Sequence, residues 1–163
     1  MWGKPRIMPL QRHPAERPPR IRVHSLDHAR AALAAARDAG MAIVLESPVG
    51  AAGWQGVGWW RELVRLGRAE FPDAEFEAVL DCGAAPGHAL AAIRAGIATL
   101  CLRAPDQVLA KIADIAEQAG GRVERGAPGP LIDLLGAADP RQYCGDRLSS
   151  GSSCEPLPPP GRG

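Results

Sequence analysis

The chain has 163 residues, and nineteen Lys and Arg against eighteen Asp and Glu leave a formal charge of +1. That balance gives no electrostatic footprint for nucleic acid or an anionic membrane surface, and the length suits one domain with a sizeable core. Only two of the basic residues are Lys and Asn is absent, which reads as a bacterial-type genomic bias because the Arg residues are scattered.

Residues 1–20 are rich in Pro and Arg and show no periodicity, so they read as a disordered basic extension. They hold no apolar stretch of the kind a secretion signal needs, which points to a cytoplasmic protein. Ile21–His24 then makes a short β-branched strand. Asp27 precedes an Ala-rich helix, Ala29–Asp38, that stops at Gly40, a residue suited to a helix C-terminus. Met41–Glu46 is a compact apolar strand, too short to span a bilayer.

A loop with four Gly follows at 48–58, leading to a helix over Trp59–Phe71 that ends at Pro72. Glycines there permit close backbone approach, as an anion-binding loop needs, but no P-loop or GxGxxG pattern accompanies them. An exposed Trp54 would make this loop a lid or a partner surface. Phe76–Asp81 is the third strand, and Pro86 opens the next helix, which ends before Gly96. Ile97–Leu102 is a fourth strand. Pro105-Asp106 starts a helix with apolar spacing 108, 112, 115, 119, closed by Gly120-Gly121, and Arg122–Glu124 is a weak fifth strand. From 133 to 163 Gly, Ser and Pro predominate, and a disordered tail is predicted.

Strands alternating with helices of this length predict βαβ units with right-handed crossovers. The fold class is therefore α/β over residues 21–132, with about five mostly parallel strands and four helices. An open three-layer sandwich and a little over half of an eight-stranded barrel both satisfy the pattern.

In such folds ligands sit at the carboxyl ends of the strands. Asp81 and Cys82 occupy that place after the third strand, where a carboxylate serves as acid/base or closes the turn by binding amides. A helix N-terminus after Cys82 favours thiolate. His88, however, is six residues on and a turn too far to activate it, so a buried, inert thiol is expected. His24 lies beside the crevice, but a strand-to-helix junction separates it from His28 and argues against a metal pair. The four Cys, at 82, 101, 144 and 154, include no CxxC and are expected to be free thiols.

Three stretches of the core resemble the amino-terminal half of class II, zinc-dependent fructose-bisphosphate aldolases. Ser47-Pro48-Val49-Gly50-Ala51-Ala52-Gly53-Trp54-Gln55-Gly56 is similar to that family's Ser-x-Gly-Ala loop, with one extra residue. Val79-Leu80-Asp81-Cys82-Gly83 stands where the family has a Leu-Asp-His-Gly motif. Ala91–Leu100 resembles its Ala-Ile-x-Ala-Gly-Phe-x-Ser-Val step. The resemblance implies half of a TIM-like barrel, with Asp81 as the catalytic acid/base. It also implies zinc, with Cys82 standing where the family has a His ligand and Glu124 near a ligating Glu. The remaining ligands and the phosphate loops of that family belong to its second half.

The expected function is non-catalytic binding of a small, sugar-phosphate-like molecule around Ser47, Gly50, Asp81, Cys82 and Arg103, with no cofactor required. Two alternatives stand beside it. One is a metal-dependent carbon–carbon lyase acting as an oligomer. The other is a self-associating structural or regulatory protein, a homodimer that covers the sheet edges.

Overall fold

The computed structural model describes residues 17–126 and 131–150, which form a single six-stranded sheet whose strands all run parallel. In chain order these are β1 (Arg20–Arg22), α1 (Leu26–Ala39), β2 (Ile43–Glu46), α2 (Val57–Glu70), β3 (Phe76–Asp81), α3 (Pro86–Arg94), β4 (Thr99–Cys101), α4 (Asp106–Gln118), β5 (Arg122–Glu124), β6 (Leu131–Asp133) and α5 (Pro140–Ser150). A π-helical turn, Ala52–Gly56, leads directly into α2. No helix among the described residues is long and apolar enough to cross a membrane.

The expected alternation of strands and helices holds, with element ends shifted by one to three residues. Ser25 rather than Asp27 caps α1, its hydroxyl accepting the His28 amide, and Gly40 closes the helix at φ 63°. Ala29, Ala32, Leu33 and Ala36 form the buried stripe of α1, at the spacing one helical face requires. Gly67 of α2 lies so near that a Cβ there would stand 3.0 Å from Leu33.

Two sequence expectations change. The predicted tail from 133 is ordered through residue 150. Ile21 and Ile132 are register partners in the β1–β6 ladder, and α5 packs on α1 with Cys144 and Leu148 buried. The Pro-rich segment beyond it and the first sixteen residues lie outside the described residues. Pro19, placed in the N-terminal extension, also joins the sheet, its carbonyl accepting the Val44 amide.

Strand order is β5-β4-β3-β2-β1-β6. Successive right-handed crossovers moving one way from β1 to β5 put their helices on one face. Side-chain parity shows which face that is. Ile21, Val23, Ile43, Leu45, Leu80, Leu100, Leu102, Ile132 and Leu134 join buried residues of all five helices in one core.

The opposite face is polar. One row across all six strands reads Asp133, Arg22, Glu46, Val79, Thr99, Arg122. Only Val44, Val79 and Cys101 form a small apolar cluster there. Arg20 reaches from β1 to Glu46 on β2 and to Glu124 on β5, each at 2.9 Å. In a flat sheet four strand spacings of about 4.8 Å would hold β1 and β5 roughly 19 Å apart, so the sheet curls with its charged face inward. The sheet is thus curved as in part of a barrel, with the helices of the core on its outer face.

Candidate functional site

Three loops meet at the carboxyl ends of β2, β3 and β4, and Asp81 is what they meet on. Its Oδ1 accepts the amides of Gly50 and Gly83, each at 2.8 Å. Arg103 completes a bidentate pair, with Nη2 2.8 Å from Oδ1 and Nη1 2.9 Å from Oδ2. The chemistry of the two glycines explains the convergence. Both adopt left-handed backbone, φ 68° at Gly50 and 62° at Gly83, and a Cβ on Gly83 would sit 3.5 Å from the Gly50 Cα. Ser47 ties in from below, its Oγ accepting the Asp81 amide at 2.8 Å while donating to the Pro48 carbonyl. The Arg103 amide in turn donates to the Gly83 carbonyl.

Burial alone would raise the pKa of Asp81, but the Arg103 guanidinium and the Gly50 and Gly83 amides outweigh it and hold the carboxyl below its usual range. A carboxylate so engaged takes up a proton only well below neutral pH. Of the two roles expected for Asp81, these surroundings favour the second, binding of turn amides, here as a clamp that fixes three loops. Ser47, Gly50 and Arg103, expected as ligand contacts, do come together here. Ser47 is fully buried and the Gly50 amide is engaged, so Arg103, with 42% of its side chain exposed, is the one that presents a surface.

The expected metal ligands are not brought together. Cys82 has the parity of Leu80 and lies in the core beneath the helices, whereas Glu124 points to the charged face and pairs with Arg20. Burial pushes the Cys82 thiol up to about 12, with the Asp81 charge adding to it, so the expected inert thiol is what its environment favours. Among the described residues no three His, Cys, Asp or Glu groups gather as a metal site. His88 is exposed and lies against Gly53 instead of Cys82, close enough that a Cβ on Gly53 would be 2.6 Å from the ring.

Beside Arg103, a cleft of about 310 Å³ opens at the ends of β4 and β5, lined by Leu102, Arg103, Ala104, Pro105 and Arg125. Arg125 pairs with Asp106 at 2.6 Å, but both side chains are largely exposed and the pair is weak. The first turn of α4 borders this cleft, and its cap, Pro105, contributes no side-chain hydrogen bond to the helix amides. Arg125 went unnoticed in the sequence, and Gly83 entered only as part of the Val79–Gly83 stretch, not as an amide donor to Asp81. An Arg directly after a short strand and a Gly directly after the Asp-Cys step were the available signals.

Trp54 is 62% exposed at the same end of the sheet, its indole donating to the Val49 carbonyl. Trp60, by contrast, is fully buried in the core. At the carboxyl ends of β1 and β6, His24 Nε2 lies 2.7 Å from Asp133 Oδ1. The His28 ring stands edge-on to the His24 ring at 5.9 Å, an approach that spacing across the junction did not suggest. No protein-family model matches the chain, and no curated protein matches it.

Proposed function

We propose that this protein binds a small anionic molecule, with a phosphate or carboxylate group seated between Arg103 and Arg125 at the carboxyl ends of β4 and β5. The observation that carries this reading is the cleft itself: two guanidinium groups and the start of α4 border one opening. Asp81 holds Arg103 in a fixed orientation, so an anion meets a donor that is already ordered. Among the described residues Arg125 is held by an exposed carboxylate, which a ligand can displace at little cost. The rigid loop clamp supplies the frame, and the exposed Trp54 stands on a loop bordering the same end.

Thermal melting in graded inorganic phosphate, and in sugar phosphates, tests the reading. Binding to the folded state adds about 2.7 kcal/mol at a hundredfold excess over Kd, so the midpoint should climb with ligand concentration. Arg125→Ala should keep the unliganded melting temperature within about a degree, since exposed pairs contribute little, and should remove most of the ligand-dependent rise. Well-folded protein whose midpoint ignores every one of these anions would refute the proposal.

A further inference from the structure

We infer that the anion seated at Arg103 and Arg125 is a nucleoside phosphate whose base stacks on the exposed ring of Trp54. The inference rests on the anion-binding reading above and names the class of ligand for that site.

A run of short contacts connects the tryptophan to the cleft. A Cβ on Gly50 would meet Trp54 at Cδ1, 3.9 Å away, so the ring lies beside that glycine. The Gly50 amide is 2.8 Å from Asp81 Oδ1, and the same oxygen is 2.8 Å from Arg103 Nη2. With standard covalent lengths across Gly50, the ring edge and the guanidinium stand no more than about 12 Å apart. Arg103 lines the cleft together with Arg125. A nucleotide with its base against the ring and its phosphate at the guanidinium groups covers that span.

The ring is also held in place. Its indole N–H donates to the Val49 carbonyl at 3.0 Å, and the π-helical turn that carries it, Ala52–Gly56, runs directly into α2. Anchored in this way, Trp54 is still 62% exposed, whereas Trp60 is fully buried. A fixed aromatic surface left open to water beside a binding cleft is suited to a flat partner, and little rotamer freedom is lost when one arrives.

The surroundings favour a flat ring over a hydroxylated one. Ser47 is fully buried, Asp81 engages the Gly50 and Gly83 amides, and Val49 engages the indole N–H. None of these offers a sugar hydroxyl a free partner, whereas a π face accepts any base without hydrogen bonds. Val49, 54% exposed, extends the apolar surface next to the ring. His88, exposed and lying against Gly53, adds one polar side chain at its border. Stacking here thus adds affinity with little discrimination between bases.

AMP and ribose-5-phosphate differ only in the base, so their affinities isolate the stacking. Titration calorimetry on the full chain should find AMP bound about tenfold tighter, and CMP also tighter than ribose-5-phosphate. Trp54→Ala should bring AMP to the affinity of ribose-5-phosphate and leave ribose-5-phosphate unchanged, while Trp54→Phe should keep most of the difference. Should Trp54→Ala fail to fold, Trp54→Leu, which keeps bulk without a π face, takes its place with the same expectation. Equal affinities in the wild type, or a preference that survives loss of the ring, overturn the inference and leave the anion reading standing. No binding of AMP, ribose-5-phosphate or inorganic phosphate overturns both. Adenosine bound as tightly as AMP refutes the phosphate seat, and the inference with it.

Discussion

Arg20 on β1 and Glu124 on β5 pair at 2.9 Å across the three strands that separate them in the sheet. The same guanidinium pairs with Glu46, whose side chain is 3% exposed. Burial opposes the charge on Arg20, but the two carboxylates outweigh it and raise its pKa. The curl and this ion triad are mutually dependent: only a curled sheet brings Glu124 within reach, and only the paired charges make the interior tolerable. Arg20→Met removes the cation shared by Glu46 and Glu124 and leaves Glu46 with Arg22 alone, 2.7 Å away. We expect a loss of about 3 kcal/mol, at the lower end of the usual cost of breaking a buried pair from one side, because Glu46 keeps one partner. Urea unfolding measures it, and a loss under about 1 kcal/mol would mean that Arg22 and water, not Arg20, neutralise the interior.

The clamp on Asp81 makes a prediction in pH. Its folded pKa lies below the unfolded value of about 3.9, so its contribution is complete above that value and disappears as pH falls through the folded one. Asp81→Asn keeps the shape but loses the charge-assisted pair with Arg103. The melting temperatures of wild type and variant should therefore differ most at neutral pH and converge toward pH 2–3. A constant gap across that range would show that shape, not charge, holds the three loops.

The apolar half of this fold was legible because it is written at short range. Met41–Leu45 is a compact apolar run, Phe76, Ala78 and Leu80 recur at period two along β3, and α1 carries its Ala-Leu stripe at the helical period. The Gly50, Asp81 and Arg103 convergence was also visible, since each follows a strand at its carboxyl end. The charged face was not. Arg20, Arg22, Glu46 and Glu124 look like ordinary surface residues, and only strand order and curvature reveal their partners. β6 and α5 were missed for a related reason. β6 buries only Ile132 among its three residues and α5 only Cys144 and Leu148, so neither contains enough periodic apolar residues to stand out from a Gly- and Ser-rich segment.

Thiol chemistry offers an independent check on the buried faces. Burial pushes Cys144 up to about 12, and burial with the nearby Asp81 charge takes Cys101 to about 11 and Cys82 to about 12. All three are inaccessible, and Cys154 lies outside the described residues. Ellman titration at pH 8 should find at most one fast-reacting thiol per native chain, and four in denaturant. Two or more fast native thiols would place a described cysteine at the surface.

Two glycines separate tolerable crowding from intolerable crowding. A Cβ at Gly53 would come within 2.6 Å of His88, but the atom it meets is the end of an exposed side chain that can rotate away. A Cβ at Gly121 would come within 2.7 Å of the Ala98 carbonyl oxygen, which already accepts the Arg122 amide where β5 starts beside β4. Backbone there cannot yield without drawing β5 out of register, and Glu124 with it. Gly121→Ala should therefore cost about 2–3 kcal/mol, toward the upper part of the range for overpacking, and Gly53→Ala about 1 or less. Because Glu124 would shift, Gly121→Ala combined with Arg20→Met should cost less than the two losses added together. Strict additivity in the double variant would mean that β5 keeps its place and the strain is absorbed locally at residues 120–122.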